Sequence, residues 1–115
     1  MVLKLYWRDL NGNSYELGNL YKKDDKYCFD IVEKDTLKKA THAGCFGIGE
    51  LNLFYQHHES DTLFTFFKRR IPAKEHVDIE DALKELGLEE YDEMELLKRT
   101  KGILNTDRYY LEEVN

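Results

Sequence analysis

Apolar and polar residues alternate along the first third of the chain. Residues 2–9 and 26–32 place apolar side chains at every second position, which is the spacing of a strand with one buried face. In the first run, the apolar face consists of Leu3, Leu5 and Trp7. Residues 15–21 lie between these runs, with Gly18 marking a bulge or a close backbone approach. Asn11-Gly12 supplies one of the polar turns, and the pattern predicts a meander of three antiparallel strands.

The rest of the chain shows helical spacing interrupted by two further strand-like segments. A short helix is compatible with residues 35–42, and the other predicted helices cover 62–70, 78–86 and the segment from Asp92 to Gly102. The further strands are predicted around residues 50–55 and 106–114. These elements predict an α+β fold, an antiparallel sheet of four to five strands with three helices packed on it. A chain of 115 residues accommodates one core, so residues 1–115 are predicted to form a single domain.

The densest apolar segment of the sequence lies in the predicted helix over residues 62–70. Its apolar stripe is too broad for an exposed helix and consists of Leu63, Phe64, Phe66 and Phe67. We therefore expect this helix to be buried against the sheet. The basic run Lys68-Arg69-Arg70 follows, and Ile71-Pro72 should end the helix, because the residue before proline is pushed out of the α region.

The composition is that of a globular protein. Hydrophobic residues make up 42% and aromatic residues 13% of the chain, which is enough for a packed interior. The sequence contains no run of about 18 apolar residues that could span a membrane, and its first residues lack the apolar core of a signal peptide. We expect a cytoplasmic protein that makes no membrane contact.

The formal net charge of −6 hides an uneven distribution of charge. Between Glu75 and Glu95 acidic residues greatly outnumber the single Lys84. Charge runs usually form a solvated face, but an acidic surface can also mimic nucleic-acid phosphates for a protein partner. The residues that would carry this alternative are Asp78, Glu80, Asp81, Glu85, Glu89 and Glu90.

The basic cluster just before this acidic block allows the reverse interpretation, a phosphate or RNA contact. It consists of Lys68, Arg69, Arg70 and Lys74. Either Arg69 or Arg70 could instead pair internally with a nearby acid. Because a basic cluster is weak evidence in an acidic protein, we expect no direct binding of nucleic acid.

Residues with catalytic or metal-binding chemistry are scattered. Cys28 and Cys45 belong to no C-x-x-C pair, so buried free thiols are expected. His57 and His58, beside Glu59 and Asp61, are the nearest approach to a metal cluster, but neighbouring histidines on a strand point to opposite sides. The prediction for them is a solvated polar loop. Cysteine–histidine chemistry, with either thiol beside a histidine, is left open by the sequence. We expect that the protein is not an enzyme, that it has no catalytic residue, and that it binds no metal or cofactor.

The order of parts from Leu63 onward resembles the N-terminal subdomain of HipA-type proteins. The resemblance includes an aromatic-rich helix that ends in Arg70-Ile71-Pro72, a helix that ends at Leu86-Gly87-Leu88, and Tyr91-Asp92 leading into Glu95-Leu96-Leu97. With the meander included, it covers nearly the whole chain. The same module is similar to the N-terminal part of some bacterial HIRAN-domain proteins. The sequence departs from the family where Ala73 follows the proline in place of an acid.

This resemblance implies a non-enzymatic, protein-binding module. In HipA toxins the module precedes a kinase core, and in three-part toxin–antitoxin systems it occurs as a separate small protein. The nucleotide and catalytic loops of the kinase have no counterpart here, so kinase activity is not implied. The expected role is regulation of a kinase-like toxin or defence protein through a surface formed by Arg69, Arg70 and Pro72, with Trp7 as an aromatic anchor. The acidic mimic remains the alternative.

Overall fold

The computed structural model describes residues 1–114; Asn115, the last residue of the predicted domain, lies outside the described residues. The described part of the chain folds into an α+β structure. Its strands are β1 Val2–Arg8, β2 Ser14–Lys23, β3 Lys26–Ile31, β4 His57–Ser60 and β5 Tyr109–Val114. Its helices are α1 Lys34–Ala43, α2 Thr65–Lys68, α3 Ile79–Glu85 and α4 Glu93–Thr100. The prediction of an antiparallel sheet with helices packed on it is therefore confirmed.

The strands form one antiparallel sheet in the order β4-β3-β2-β1-β5. The predicted meander is confirmed, because β1 pairs with β2 and β2 pairs with β3. Leu3, Leu5 and Trp7 are buried as their alternation indicates. The final strand, β5, returns along the free edge of β1 and begins at Tyr109. The two edges of the sheet are thus β4 and β5.

Gly18 lies at a close approach between neighbouring strands. A Cβ atom at this position would overlap the Asp30 carbonyl oxygen and the ring of Phe29. Leu5 of β1 pairs with Gly18, but the next residue, Tyr6, pairs with Glu16, so β2 has a bulge at Leu17, directly beside this glycine. Both features expected of Gly18 are therefore confirmed.

The turn between β1 and β2 is organised by the carboxylate of Asp9. Its Oδ1 accepts hydrogen bonds from the backbone N–H groups of Asn11 and Asn13, each at 2.9 Å. Its Oδ2 accepts from Asn13 Nδ2 at 3.3 Å and from the Tyr15 hydroxyl at 3.1 Å. Desolvation by burial raises the pKa of Asp9, but the hydrogen bonds outweigh it and hold that pKa below its ordinary value of 3.8.

We expect replacement of Asp9 by asparagine to lower the melting temperature at neutral pH and to have little effect in acid. Because the pKa of Asp9 is lower in the folded chain, its contribution is present above the unfolded pKa and is lost as pH falls through the folded pKa. Thermal unfolding of the unchanged chain and the variant, monitored by circular dichroism from neutral pH to pH values below the Asp9 pKa, measures the difference in melting temperature. A gap in melting temperature that persists at pH values far below the Asp9 pKa would contradict the assignment.

The predicted position of the fourth strand, around residues 50–55, is wrong. Residues 50–55 lie in two successive turns, 48–51 and 52–55, in which Leu51 N–H donates to the Ile48 carbonyl oxygen and Tyr55 N–H to the Asn52 carbonyl oxygen. The Asn52 side chain favours the second turn by accepting from the backbone N–H of Phe54 at 2.9 Å. The strand that pairs with β3 is β4, in the segment predicted to be a polar loop.

The aromatic helix is much shorter than predicted. The sequence predicted a helix over residues 62–70, with Ser60 or Asp61 as its N-cap, but α2 is a single turn. Phe64 precedes it with an extended ψ of 139°, and the Ser60 hydroxyl accepts from Thr62 N–H in a local turn outside the helix. The burial prediction is nevertheless confirmed, because Leu63, Phe66 and Phe67 are all in the core.

The later helices follow the predicted order but differ in their first turns. In α4 the Asp92 carboxylate accepts from the backbone N–H groups of Met94 and Glu95 at 3.0 and 3.2 Å, as predicted for an N-cap. In α3 the predicted capping box is not formed within the described chain: Asp78 makes no side-chain cap. Its backbone N–H donates to His76 Nδ1 instead, at 3.2 Å. No helix within residues 1–114 is long and apolar enough to cross a membrane.

Candidate functional site

The segment between α1 and β4, residues 44–56, exposes the largest group of aromatic side chains outside the core. We call it the aromatic loop. The side chains of Phe46 and Phe54 are almost fully exposed, at 102% and 94% of their reference areas, and that of Tyr55 is 65% exposed. Each of these side chains leaves most of its surface open to water, which makes the loop a candidate interaction site.

The aromatic loop is anchored from within although its aromatic rings face solvent. Ile48 and Leu51 are buried in the core. The Tyr109 hydroxyl donates a hydrogen bond to the Gly47 carbonyl oxygen at 2.5 Å. Burial and the neighbouring Cys45 thiol raise the pKa of Tyr109, so the hydroxyl keeps its proton for this bond. The exposed rings are therefore presented from a loop with fixed attachment points.

The exposed rings of this loop were not predicted from the sequence, because residues 50–55 were assigned to a strand. Turn-forming residues surround Phe46 in the sequence and indicate a loop there. They are Gly44, Gly47, Gly49 and Asn52. In such a segment, an aromatic residue has no regular element to direct it inward.

The aromatic loop adjoins the α2 turn, which carries the predicted partner residue Arg69. The Glu50 carboxylate accepts the backbone N–H of Phe66 at 3.0 and 3.2 Å, so it satisfies a free donor at the start of α2. Arg69 follows α2 and is exposed. Pro72 is half-buried, and its carbonyl oxygen accepts from the Tyr91 hydroxyl at 2.7 Å. Of the predicted partner residues, Arg69 is therefore the one with a free side chain.

Arg70 lies in the interior, which differs from the predicted surface contact. Its side chain is 1% exposed, and its guanidinium donates to both carboxylate oxygens of Asp107, at 3.2 and 2.6 Å. It also donates to the Gly102 carbonyl oxygen at 3.0 Å. The guanidinium carbon lies 4.2 Å from the ring centroid of Phe66 and 5.1 Å from that of Tyr109. The internal pairing that the sequence left open thus applies to Arg70.

Trp7 is likewise part of the core and differs from the exposed anchor that was predicted. It is 8% exposed, and its ring centroid lies 6.0 Å from that of Tyr15. The strand alternation that places Leu3 and Leu5 inward also directs Trp7 inward. A partner cannot contact either Trp7 or Arg70 without opening the core.

Part of the basic cluster borders a groove of about 670 Å³. Lys22, Lys68 and Lys74 line it together with carboxylates. One of these carboxylates, Glu93, accepts a hydrogen bond from the Tyr27 hydroxyl, with 2.8 Å between the two oxygen atoms. Burial raises the pKa of Tyr27, and this hydrogen bond raises it further. Because the groove carries both charges, its lysines do not form the purely basic surface that a phosphate chain requires.

The acidic face predicted from sequence is exposed throughout. It lies on α3 and on the turns that flank it. The residues that the structure exposes are Asp78, Glu80, Asp81, Glu85, Glu89 and Glu90. This burial pattern agrees with a solvated face and equally with a face for a cationic partner.

The two neighbouring histidines point to opposite sides of β4, as expected of adjacent strand residues. His58 Nε2 lies 3.0 Å from the Asn52 carbonyl oxygen. His57 instead faces two carboxylates, with Nδ1 2.5 Å from Asp30 Oδ1 and Nε2 3.0 Å from Glu59 Oε1. The hydrogen bond to Asp30 raises the pKa of His57 most, and the hydrogen bond to Glu59 raises it further. Both residues belong to a strand and not to the predicted loop.

Comparison of the chain with protein-family models, with curated proteins and with solved structures finds no match. The resemblance to the HipA N-terminal subdomain therefore stays a prediction from the sequence.

Proposed function

We propose that this chain is a non-enzymatic, protein-binding module that regulates a separate kinase-like toxin or defence protein. The observation that carries the proposal is the nearly complete exposure of Phe46 and Phe54 on the aromatic loop. The sequence resemblance to the HipA N-terminal subdomain supports the class of partner. The contact surface consists of the exposed rings of the loop, with Arg69 on the adjoining α2 turn.

Burial of two phenylalanine side chains is a large contribution to the affinity of a small interface. Each ring removed from water contributes about 1.5–3 kcal/mol. Aromatic side chains, phenylalanine included, are enriched in the core of protein interfaces. Because Ile48 and Leu51 already hold the backbone of the loop, less conformational entropy is lost on binding than in a free loop.

Arg69 lies at the position that a polar rim requires. Its side chain is exposed, whereas the adjacent Arg70 is committed to Asp107. An arginine at the rim favours a partner with a complementary acidic patch and acts mainly on the rate of association. We expect Arg69→Glu to weaken the complex less than loss of the aromatic rings.

We expect the double variant Phe46→Ser/Phe54→Ser to lose the partner. The test is affinity capture from native cells, with the eluate identified by mass spectrometry and the affinity then measured with the purified partner. The lost burial corresponds to a decrease in affinity of at least ~100-fold. Leu10→Ser is the matched control, because Leu10 is 87% exposed on the β1–β2 turn, outside the proposed surface.

Recovery of a kinase-like protein by the unchanged chain and by Leu10→Ser, together with its loss from the double variant, supports the proposal. If the unchanged chain recovers no kinase-like protein, the regulatory role is wrong. If the double variant binds that protein as tightly as the control does, the aromatic loop is not the interface.

A second candidate function is that the chain blocks a nucleic-acid-binding protein by mimicking phosphates. It requires an exposed acidic face, and all six predicted acidic residues are exposed. Salt distinguishes the two candidates. A complex formed through the acidic face weakens steeply as ionic strength rises, whereas one formed through apolar rings does not. Charge reversal by Glu80→Lys/Glu85→Lys would abolish a complex formed through the acidic face and leave one formed through the aromatic loop unchanged.

A further inference from the structure

Four side chains with metal-binding atoms meet on one face of the β3–β4 pair. In the antiparallel register Cys28 lies opposite Glu59, and Asp30 lies opposite His57. Residues two apart on a strand share a face, so both cross-strand pairs project from the same side of the sheet. This side lies opposite the one that carries Phe29 into the core.

Three of these side chains bring potential ligand atoms close together. The Cys28 sulfur, a ring nitrogen of His57 and a carboxylate oxygen of Glu59 all lie within 4.8 Å of one another. Cys28 is buried, whereas His57 and Glu59 are exposed. The cluster is therefore closed by the sheet on one side and open to solvent on the other, which provides an entry path for an ion.

We propose that Cys28, His57 and Glu59 form a binding site for a zinc ion. Thiolate, imidazole and carboxylate are the ligand types that zinc takes in proteins, and a thiolate disfavours magnesium and calcium. Three protein ligands leave a fourth tetrahedral position for water. Binding converts the Cys28 thiol to a thiolate, and its proton is released to the buffer.

The orientation of the His57 ring is the second argument for the site. Its Nδ1 lies 2.5 Å from Asp30, while Nε2 points to Glu59 at 3.0 Å. A histidine that binds zinc through one nitrogen usually donates from the other to a carboxylate, which fixes the ring. Asp30 occupies this supporting position, and it accepts in turn from the Tyr21 hydroxyl at 2.7 Å. The bond to Asp30, with desolvation, raises the pKa of Tyr21 to about 12, so this hydroxyl remains a donor.

Only a modest adjustment of the side chains is needed to bind the ion. In a tetrahedral zinc site, bond lengths of about 2.0–2.3 Å separate the ligand atoms by roughly 3.5 Å. No present separation exceeds 4.8 Å, and side-chain rotation of the exposed His57 and Glu59 can adjust the spacing. The bound ion would fasten β4, an edge strand of four residues, to β3.

Titration with cobalt(II), followed by zinc competition, tests the site. We expect one equivalent of cobalt to produce a near-ultraviolet thiolate-to-metal charge-transfer band, and zinc to abolish it. Cys28→Ser should eliminate the band. Asp30→Asn, which leaves the three ligands in place, should lower the affinity about 10–100-fold. Zinc should also raise the melting temperature of the unchanged chain and not that of Cys28→Ser.

The chain offers two matched controls, because Cys45 and the neighbouring histidine His58 both lie outside the cluster. His58→Asn and Cys45→Ser should both retain the charge-transfer band, and circular dichroism in the presence of a chelator checks that each variant is folded. The proposal is overturned if the unchanged chain gives no such band at saturating cobalt. It is also overturned if the band survives Cys28→Ser, or if His58→Asn removes it as completely as His57→Asn does.

Discussion

Replacement of Arg70 by alanine is expected to lower the free energy of unfolding by about 3 kcal/mol, since removal of one partner from a buried ion pair costs about 3–5 kcal/mol. The lower end applies because Asp107, the partner carboxylate, remains 27% exposed and regains some hydration. The Gly102 carbonyl oxygen loses its donor at the same time. The rings of Phe66 and Tyr109 lose the guanidinium that lies against them.

Urea denaturation of the purified variant measures this loss, and Arg69→Ala is the matched control. Arg69 is exposed, so its removal should change the free energy of unfolding by no more than about 0.5 kcal/mol. A double-mutant cycle with Asp107→Asn isolates the pair itself. Equal, small effects of Arg69→Ala and Arg70→Ala would show that the interior position of Arg70 is wrong.

The contrast between these two arginines shows a limit of prediction from sequence. Both follow the same aromatic turn and have the same charge. Which one enters the core depends on the position of Asp107, 37 residues further along the chain. A contact of that separation is set by the packing of α2 against β5, and no local pattern around Arg69 and Arg70 encodes it.

The meander was predictable because its information is local. Alternation fixes the buried face of β1 and β3, and Asn11-Gly12 indicates the turn between the first two strands. Gly18 was identified as a bulge or close approach since an isolated glycine within a strand has few other uses. The capping role of Asp92 is local in the same way.

The fourth strand was misplaced because local composition favoured the wrong segment. Residues 50–55 contain more apolar side chains than β4, whose sequence is entirely polar. β4 is selected by pairing with β3, in which Phe29 lies opposite His58. The proposed zinc site depends on the same register, so Cys28 and His57 could not be brought together by sequence reasoning alone. The aromatic loop was hidden by the same error.

Phe67 is the residue whose truncation should destabilise the fold most. Its side chain is fully buried, and its ring centroid lies 5.4 Å from that of Phe29 and 5.1 Å from that of Phe66. It therefore joins α2 to β3 of the sheet. Replacement of a buried phenylalanine by alanine removes its transfer free energy and leaves a cavity, at a cost of about 3–5 kcal/mol.

We expect Phe67→Ala to lower the free energy of unfolding by about 4 kcal/mol in urea denaturation. Phe67→Leu should cost only about 1.5 kcal/mol because it retains most of the volume. Phe64→Ala is the positional control, since the Phe64 ring is half-buried and lies further from Phe67, at 6.4 Å. A domain of this size has about 5–15 kcal/mol of stability in total, so the loss expected for Phe67→Ala is a large fraction of it. If Phe67→Ala costs no more than Phe64→Ala, then α2 is not the element that holds the helical layer on the sheet.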